Sequence, residues 1–515
     1  QGVELAPGPK ELMNMQRFYL YLNMTKPGEK LILSYSDTNA KGEGISPSYL
    51  IGNIRSLYPK LEIEGGAGAG VRPHKNSINN YYYPENPEAG IDLFLEKLAQ
   101  ETEKEHEDIL EQADETDAVF GELYSWYLRN PEYRSRVQKL VQAAFAGKPK
   151  DIISQSVAKA LYGEVSPYSA TRLERFAACA FAHFLQYGMK LTERVEYEFK
   201  PMDMGNVMHE ALESFAEEVR KRGMKWTELT EQERNEIADR CLDNIVADYG
   251  NTVLKSSARN EYMIERTRRI LRRTVWALQK QLEQGEFQPE GFEVTFGGGR
   301  IDRVDIMEDQ NKVYVKVIDY KTGNTSFDLV YLYHGLQLQL MIYLDGALRV
   351  EQKKYPDKEI IPAGVFYYNI KDPMIQEKID ADVEAVSAGL MKELKMNGLV
   401  QADPELVYRI DSSLGSIPVA FNKDGSFRKN SSVADRTQFA VLGRYVRTKI
   451  EKIRSSILEG DAEVSPYELG KKNACTYCPY MTVCGFDRRL SGYEFRRLKN
   501  FSDEELWKAF DREAE

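Results

Sequence analysis

The sequence contains no uninterrupted apolar run of the roughly 20 residues that a bilayer-spanning helix needs, so no membrane-spanning helix is expected. The opening Gln1-Gly2-Val3-Glu4 has neither a basic n-region nor an apolar h-region. It predicts no secretory signal, and a first residue other than Met suggests a fragment. There is no GxxxxGK[ST] phosphate loop, so the chain is not expected to hydrolyse ATP by itself. A basic surplus is also missing: the net charge is −11 and the pI is near 5.4. That argues against indiscriminate coating of DNA, but it leaves room for a local basic channel within an otherwise repellent surface. Cysteine is scarce and odd in number, with Cys179, Cys241, Cys475, Cys478 and Cys484 among 515 residues. A pure disulfide framework would strand one thiol. Together with the chain's size and unsignalled start, this predicts a reducing cytoplasmic setting in which clustered thiols bind metal.

There is no internal repeat or low-complexity tract. Residues 1–65 mix a helical stretch with a strand-like run, Lys30 to Ser36, and do not make a complete domain. Gly65 to Pro73 (GGAGAGVRP) reads as a loop. Residues 66–150 form a connector that is helical from about residue 90, with Leu93, Leu95, Leu98 and Leu110 at helical spacing. A second unit occupies 151–515. Helices are expected over Ser169 to Tyr187 (burying Leu173, Phe176, Phe181 and Phe184), Met208 to Arg220, and 261–283. The period then switches to two over Phe292 to Phe296, Arg300 to Ile306 and Val313 to Tyr320, with Gly297-Gly298-Gly299 as a turn. Leu336 to Leu348 returns to helical spacing, and Ile360 to Ile370 reads as a strand. Asp435 should cap a helix running to about Leu458, and Ser502-Asp503-Glu504-Glu505 should open a short terminal one. The order predicts an α/β fold, a mixed sheet flanked by helices.

The segments Gly299-Arg300-Ile301-Asp302-Arg303-Val304-Asp305 and Val317-Ile318-Asp319-Tyr320-Lys321 place acids near strand ends. If those strands pair, Asp302 and Asp319 converge. Two carboxylates about 4 Å apart repel by roughly 4 kcal/mol at an effective dielectric near 20. A hard cation such as Mg²⁺ or Mn²⁺ supplies the compensation through oxygen ligands, with the Tyr320 carbonyl a further donor. Lys321 lies two residues beyond Asp319, on the same sheet face, where an ammonium can stabilise developing charge. The competing account is a structural ion-pair network through Arg300, Arg303 and Lys321, and Asp305 suits a salt bridge better than a site. His209 opens an apolar helical run that can aim it at the sheet, with Glu213 one turn on. Gln337, Gln339 and Tyr343 are expected on one helix, where Gln339 and Tyr343, four apart, share a face; they can hold a phosphate or orient the lysine, or they are polar residues at a helix margin.

Cys475, Cys478 and Cys484 form a C-x₂-C-x₅-C cluster, a metal signal that requires a fourth ligand, Cys179 or Cys241. Four thiolates suit Zn²⁺ or a [4Fe–4S] cluster equally. On the helix from Ile264 to Leu278, Arg266, Arg269 and Arg273 share a face able to follow phosphates. A solvated face paired with acids such as Glu265 explains them nearly as well. Arg488, Arg489, Arg496 and Arg497 allow the same two accounts, and Tyr81-Tyr82-Tyr83 either stack bases or pack a loop.

The set of His209, Gly299-Arg300-Ile301-Asp302, Asp319-Tyr320-Lys321 and Gln339-Leu340-Met341-Ile342-Tyr343 resembles the PD-(D/E)XK nucleases, in their RecB-like branch. With the cysteine pattern, it is similar to the C-terminal half of the AddB family over about residues 155–490. It departs from the family pattern at Ala180, where proline is usual. The resemblance implies that His209, Asp302, Asp319 and the Tyr320 carbonyl hold Mg²⁺ (or Mn²⁺), that Lys321 is catalytic, and that Gln339 and Tyr343 support it. It implies that Cys179, Cys475, Cys478 and Cys484 hold a [4Fe–4S] cluster stapling the nuclease domain (151–515) shut, leaving Cys241 a buried free thiol. It also implies that residues 1–65 end a helicase-like region. The chain would then cut single-stranded DNA from broken duplexes, on the 5′-terminated strand, in a heterodimer with an AddA-like helicase–nuclease. The alternative is a catalytically silent DNA-binding or scaffold module with a structural cluster.

Overall fold

The computed structural model describes residues 8–36, 45–61, 87–88, 90–92, 94–95, 98, 115–144, 152–163, 169–192, 201–248, 257–297, 299–375, 382–490 and 492–514. The chain divides into two compact units, Gln1–Leu140 and Val141–Glu515. Leu93, Leu110 and the glycine-rich Gly65 to Pro73 lie outside the described residues.

Among its described residues the first unit is helical. It contains α1 (Pro9–Thr25), α2 (Tyr49–Leu57), α3 (Glu115–Arg129) and the start of α4 (Pro131–Ala144). Its buried side chains include Phe94, Leu123, Tyr127 and Val137, with the Phe94 ring stacked 5.0 Å from Phe120. The strand expected over Lys30 to Ser36 is not formed. A strand needs a neighbouring edge for its N–H and C=O groups; the run pairs with none among the described residues, and Leu31, Ile32 and Leu33 stay exposed.

The second unit is a three-layer α/β structure around a six-stranded mixed sheet in the order β1 to β6. The strands are β1 (Gln288–Phe296), β2 (Gly299–Asp309), β3 (Lys312–Lys321), β4 (Glu359–Asn369), β5 (Asn397–Gln401) and β6 (Val433–Ala434). The first three form an antiparallel meander. β4 then lies parallel to β3, because a crossover helix separates them, as parallel pairing requires. The pleat divides the side chains of β3 between two cores. Tyr314, Ile318 and Tyr320 join one layer with α6 (Pro201–Lys221), α7 (Glu231–Asp248) and α8 (Ala258–Glu283). Val313, Val315 and Val317 join the other with α5 (Ala170–Ala178), α9 (Gln339–Lys354), α10 (Arg436–Glu459) and α11 (Asp503–Ala514). Burial of both faces explains why β3, between Val313 and Tyr320, is apolar except for Lys316 and Asp319.

Asp435 caps α10 through a reciprocal bond pair with Gln438. At the other end, Gly460 takes a left-handed φ of 93°, and a Cβ there would sit 2.0 Å from the Ile153 carbonyl. The sequence expectation was less accurate at four places. The helix expected over Ser169 to Tyr187 breaks at Cys179, which is extended, and resumes as Ala180–His183 and a π-helical turn, Phe184–Gly188. Phe181 and Phe184 are half-buried, unlike Leu173 and Phe176. The helix expected from Leu336 begins at Gln339, which leaves Gln337 in the preceding loop. β5, β6 and a small sheet of Tyr467–Leu469, Lys472–Asn473 and Arg496–Arg497 were not anticipated, because pieces of two to five residues carry no periodicity.

Candidate functional site

The register of β2 on β3, Arg303 against Ile318 and Val304 against Val317, sets Asp302 opposite Asp319. Both side chains are nearly buried, and the Tyr320 N–H donates to Asp302 Oδ2 at 2.7 Å. From α6, His209 brings Nδ1 to 3.4 Å from the same oxygen. Gly205 of α6 lies close to the residue after β3: a Cβ there would sit 3.3 Å from Thr322 Oγ1.

Lys321 Nζ lies 2.7 Å from Asp319 Oδ2 and donates to Gln339 Oε1, also at 2.7 Å. Gln339 Nε2 donates to the Tyr343 hydroxyl at 2.9 Å. Gln339 and Tyr343 on α9 thus form one hydrogen-bonded chain with the lysine. Gln337 bonds the loop instead, accepting from the Asp328 N–H and donating to the Ser326 carbonyl.

Two acids went unrecognised in the sequence. Glu293 of β1 completes a group with His209 and Asp302 in which one ligand atom from each lies within 4.8 Å of the others. Its φ of 49° is left-handed and interrupts pairing between Phe292↔Arg303 and Val294↔Ile301. Such a backbone costs on the order of 1–3 kcal/mol in a non-glycine residue. Its side chain is 7% exposed and paired with Arg300. The only sequence signal was an acid inside an apolar strand. Glu174 of α5 accepts N–H bonds from Leu338 and Gln339; nothing local in the sequence marks it.

Burial and then the Asp302 charge push the Asp319 carboxyl up to about 7, against the pull of Lys321. Burial and Asp302 likewise push Glu293 up to about 7. Burial alone would lower His209, but its bond to Asp302 and the surrounding acids leave it raised. Glu174 is pushed up to about 7 by burial, against its two backbone donors. The ion-pair account holds for Asp305, which is fully buried against Arg303 at 2.6 Å and Lys316 at 2.9 Å. It does not hold for Asp302, since Arg303 is engaged with Asp305. Three carboxylates and an imidazole share this space with Lys321 and Arg300, an oxygen-rich set suited to a divalent cation. Glu213 is partly buried near Glu293.

The cysteines also converge. Cys179, Cys475, Cys478 and Cys484 line one apolar cavity with Phe181 and Tyr480. Burial and the other three thiols push Cys475 up to about 12, a repulsion that a bound cation would relieve. The Phe486 N–H points at Cys484 Sγ, 3.5 Å away. Cys241 is instead buried in the α6–α8 core.

On α8, Arg269 and Arg273 both engage Asp372, while Arg268 and Arg272 engage Asp239, Arg268 also reaching Asp243 and Glu265. Arg266 is exposed. These helices border a groove of about 470 Å³ lined by Arg234, Arg268, Arg269, Arg272, Arg273 and Trp276, among others. Near the cysteines, Arg489 pairs with Asp487 and Arg496 donates to the Ala177 carbonyl. Arg497 lies 3.9 Å from Glu468, and Arg488 sits over the Phe495 ring. Tyr81-Tyr82-Tyr83 lies outside the described residues.

Residues 167–485 match the sequence model of the PD-(D/E)XK nuclease superfamily. The chain belongs to that superfamily. All of the chain is 39% identical to an ATP-dependent helicase/deoxyribonuclease subunit of Lachnoclostridium phytofermentans, over 44% of that protein. It is 31% identical to the protein of the same name from Clostridium acetobutylicum, over 45% of its length, and 31% to that from Alkaliphilus metalliredigens, over 46%. The chain thus spans less than half the length of the curated relatives it matches. No helix among the described residues is long and apolar enough to cross a membrane.

Proposed function

We propose that this chain is the nuclease part of a helicase–deoxyribonuclease and hydrolyses phosphodiester bonds of single-stranded DNA with Mg²⁺ or Mn²⁺. The observation that carries this reading is the meeting of Asp302, Asp319 and Lys321 on one sheet face, with His209 beside them. His209, Asp302, Asp319 and the Tyr320 carbonyl would hold the ion, with Glu293 adjacent. When bound, the ion supplies Lewis-acid polarisation of a phosphate oxygen and a lowered pKa for water.

The protein's own contributions follow from the bonds around Lys321. Its ammonium, steered by Gln339, is placed to stabilise charge growing on the phosphate. Tyr343 fixes the Gln339 amide so that its oxygen faces the lysine. The Tyr320 N–H holds Asp302 in place for the ion.

The cysteine tetrad is assigned to a [4Fe–4S] cluster. Four thiols around one apolar cavity suit either that or Zn²⁺, and the order of one cysteine before the nuclease segments and three after follows the AddB-type arrangement. Because Cys179 and the trio stand nearly 300 residues apart, a bound group would remove much loop entropy from the unfolded chain. Arg266, Arg269 and Arg273 are the proposed phosphate contacts, although two of them share Asp372. The relatives are named as one part of an ATP-dependent helicase/deoxyribonuclease, which supports a partner with helicase activity of the AddA type. In that assembly the chain would process double-strand breaks in the cytoplasm, cutting the 5′-terminated strand.

The test is digestion of single-stranded DNA, end-labelled at either the 5′ or the 3′ end, with and without Mg²⁺. Asp319→Ala should abolish cutting and leave DNA binding near the wild-type value. Retained cutting would reject the site.

A further inference from the structure

Helix α9 has no cap of its own. The residue ahead of Gln339 is Leu338, which offers no side-chain acceptor, and the first N–H groups of a helix have no partner within it. Here the acceptor comes from another helix. Glu174 Oε1 takes the Leu338 N–H at 2.7 Å and the Gln339 N–H at 2.9 Å, across 164 and 165 residues of sequence. A carboxylate at a helix N-terminus is also favoured by the helix dipole.

Glu174 sits on a packed and capped helix. Its neighbours Leu173, Phe176 and Ala177 are buried in the core, Ser169 caps α5, and α5 ends at Cys179. The residue whose backbone it grips is the one whose side chain holds the lysine: Gln339 accepts from Lys321 Nζ at 2.7 Å, and Lys321 Nζ in turn lies 2.7 Å from Asp319.

We propose that Glu174 is a positioning residue for the cleavage reaction. By capping α9 from α5 it fixes the origin of the Gln339 side chain, and through Gln339 it places the Lys321 ammonium. It acts as a hydrogen-bond acceptor, so an amide can replace the carboxylate. The proposal rests on the nuclease reading for the role of Lys321. The lever is large, because misplacing a reacting group by about 1 Å can cost roughly 100-fold in rate. A cap with no further role would change only stability.

The experiment compares the wild-type chain with Glu174→Ala, Glu174→Gln, Gln339→Ala and the double variant Glu174→Ala/Gln339→Ala, on single-stranded DNA with Mg²⁺. Glu174→Ala should lower kcat by roughly 10- to 100-fold and leave KM for DNA within about twofold, the pattern of lost transition-state stabilisation. Glu174→Gln should stay within about threefold of wild type. The double variant should be no slower than Gln339→Ala, because both changes act through one group. An unchanged kcat in Glu174→Ala, a double variant showing the product of both losses, or a Gln variant as impaired as the Ala variant would each overturn the proposal.

Two readouts on the same proteins do not need activity: hydrogen exchange of the Leu338 and Gln339 amides, and the acetylation rate of Lys321. Both should rise in Glu174→Ala and not in Glu174→Gln, and if neither moves the proposal fails. A wild-type chain that cuts no DNA, combined with these shifts, would remove the nuclease reading while the placement of Lys321 by Glu174 still stands.

Discussion

Lys321 Nζ lies 2.7 Å from the carboxylate of Asp319, two residues earlier on the same strand. The contact follows from the two-residue pleat of β3, and Gln339 prevents the lysine from being spent entirely on it. Lys321→Ala should therefore lower cutting of single-stranded DNA by at least about 100-fold, within the range for removal of one electrostatic stabiliser. DNA affinity in a filter-binding assay should stay within a few-fold. A loss confined to affinity would show that the lysine only binds.

The acids around that contact predict how stability should vary with pH. Asp319 and Glu293 are both raised to about 7 from their ordinary carboxyl values, and His209 is also raised. A raised folded-state pKa gives stability that is complete below the unfolded value and lost as pH rises through the folded one. The metal-free chain should lose Tm between about pH 4 and pH 8, by roughly 5 °C or more. Added Mg²⁺ should restore Tm at pH 8 and do little at pH 5, where protons compete for the ligands. Asp319→Asn should flatten the slope, and a metal-free Tm that rises toward pH 8 would contradict the charge distribution described here.

Beneath the site, Asp305 is the shared partner of Arg303 and Lys316 at full burial. Asp305→Ala leaves two cations in the core. By analogy with broken buried pairs it should cost about 3–5 kcal/mol, measured as a reduced denaturant midpoint. Asp305→Asn, which still accepts hydrogen bonds, should cost less. A negligible effect of the alanine variant would mean that water reaches Arg303.

For the cysteines, a purified sample should be brown, with iron and acid-labile sulfide in equal amounts. Cys179→Ser should lose the colour and most of the stability, whereas Cys241→Ala should keep the colour, since Cys241 lies in another core. A colourless protein containing zinc would overturn the cluster assignment.

On α8, two arginines share Asp372. If they contact phosphates, Asp372→Asn should release them and strengthen DNA binding by several-fold at low salt, with a steeper salt dependence. Arg269→Ala/Arg273→Ala should do the reverse. Unchanged salt slopes in both variants would assign this face to the fold alone.

What the sequence determined by itself is what periodicity and spacing encode. The alternation in Arg300 to Ile306 and Val313 to Tyr320 marked β2 and β3, and Asp319 and Lys321 had to share a face because the pleat repeats every two residues. The cap at Asp435 was legible because its bonding partner Gln438 is three residues away. Tertiary structure alone decided the rest. Glu174 meets Gln339 across 165 residues, and Glu293 meets His209 and Asp302 because the β1–β2 pairing on either side of it sets it across from Asp302. Spacing left Cys179 and Cys241 both open and only the family resemblance favoured Cys179; in the fold Cys179 lines one cavity with the trio, while α7 carries Cys241 into another core. Such contacts leave no local mark, because the side chains that satisfy them are chosen by packing between elements distant in sequence.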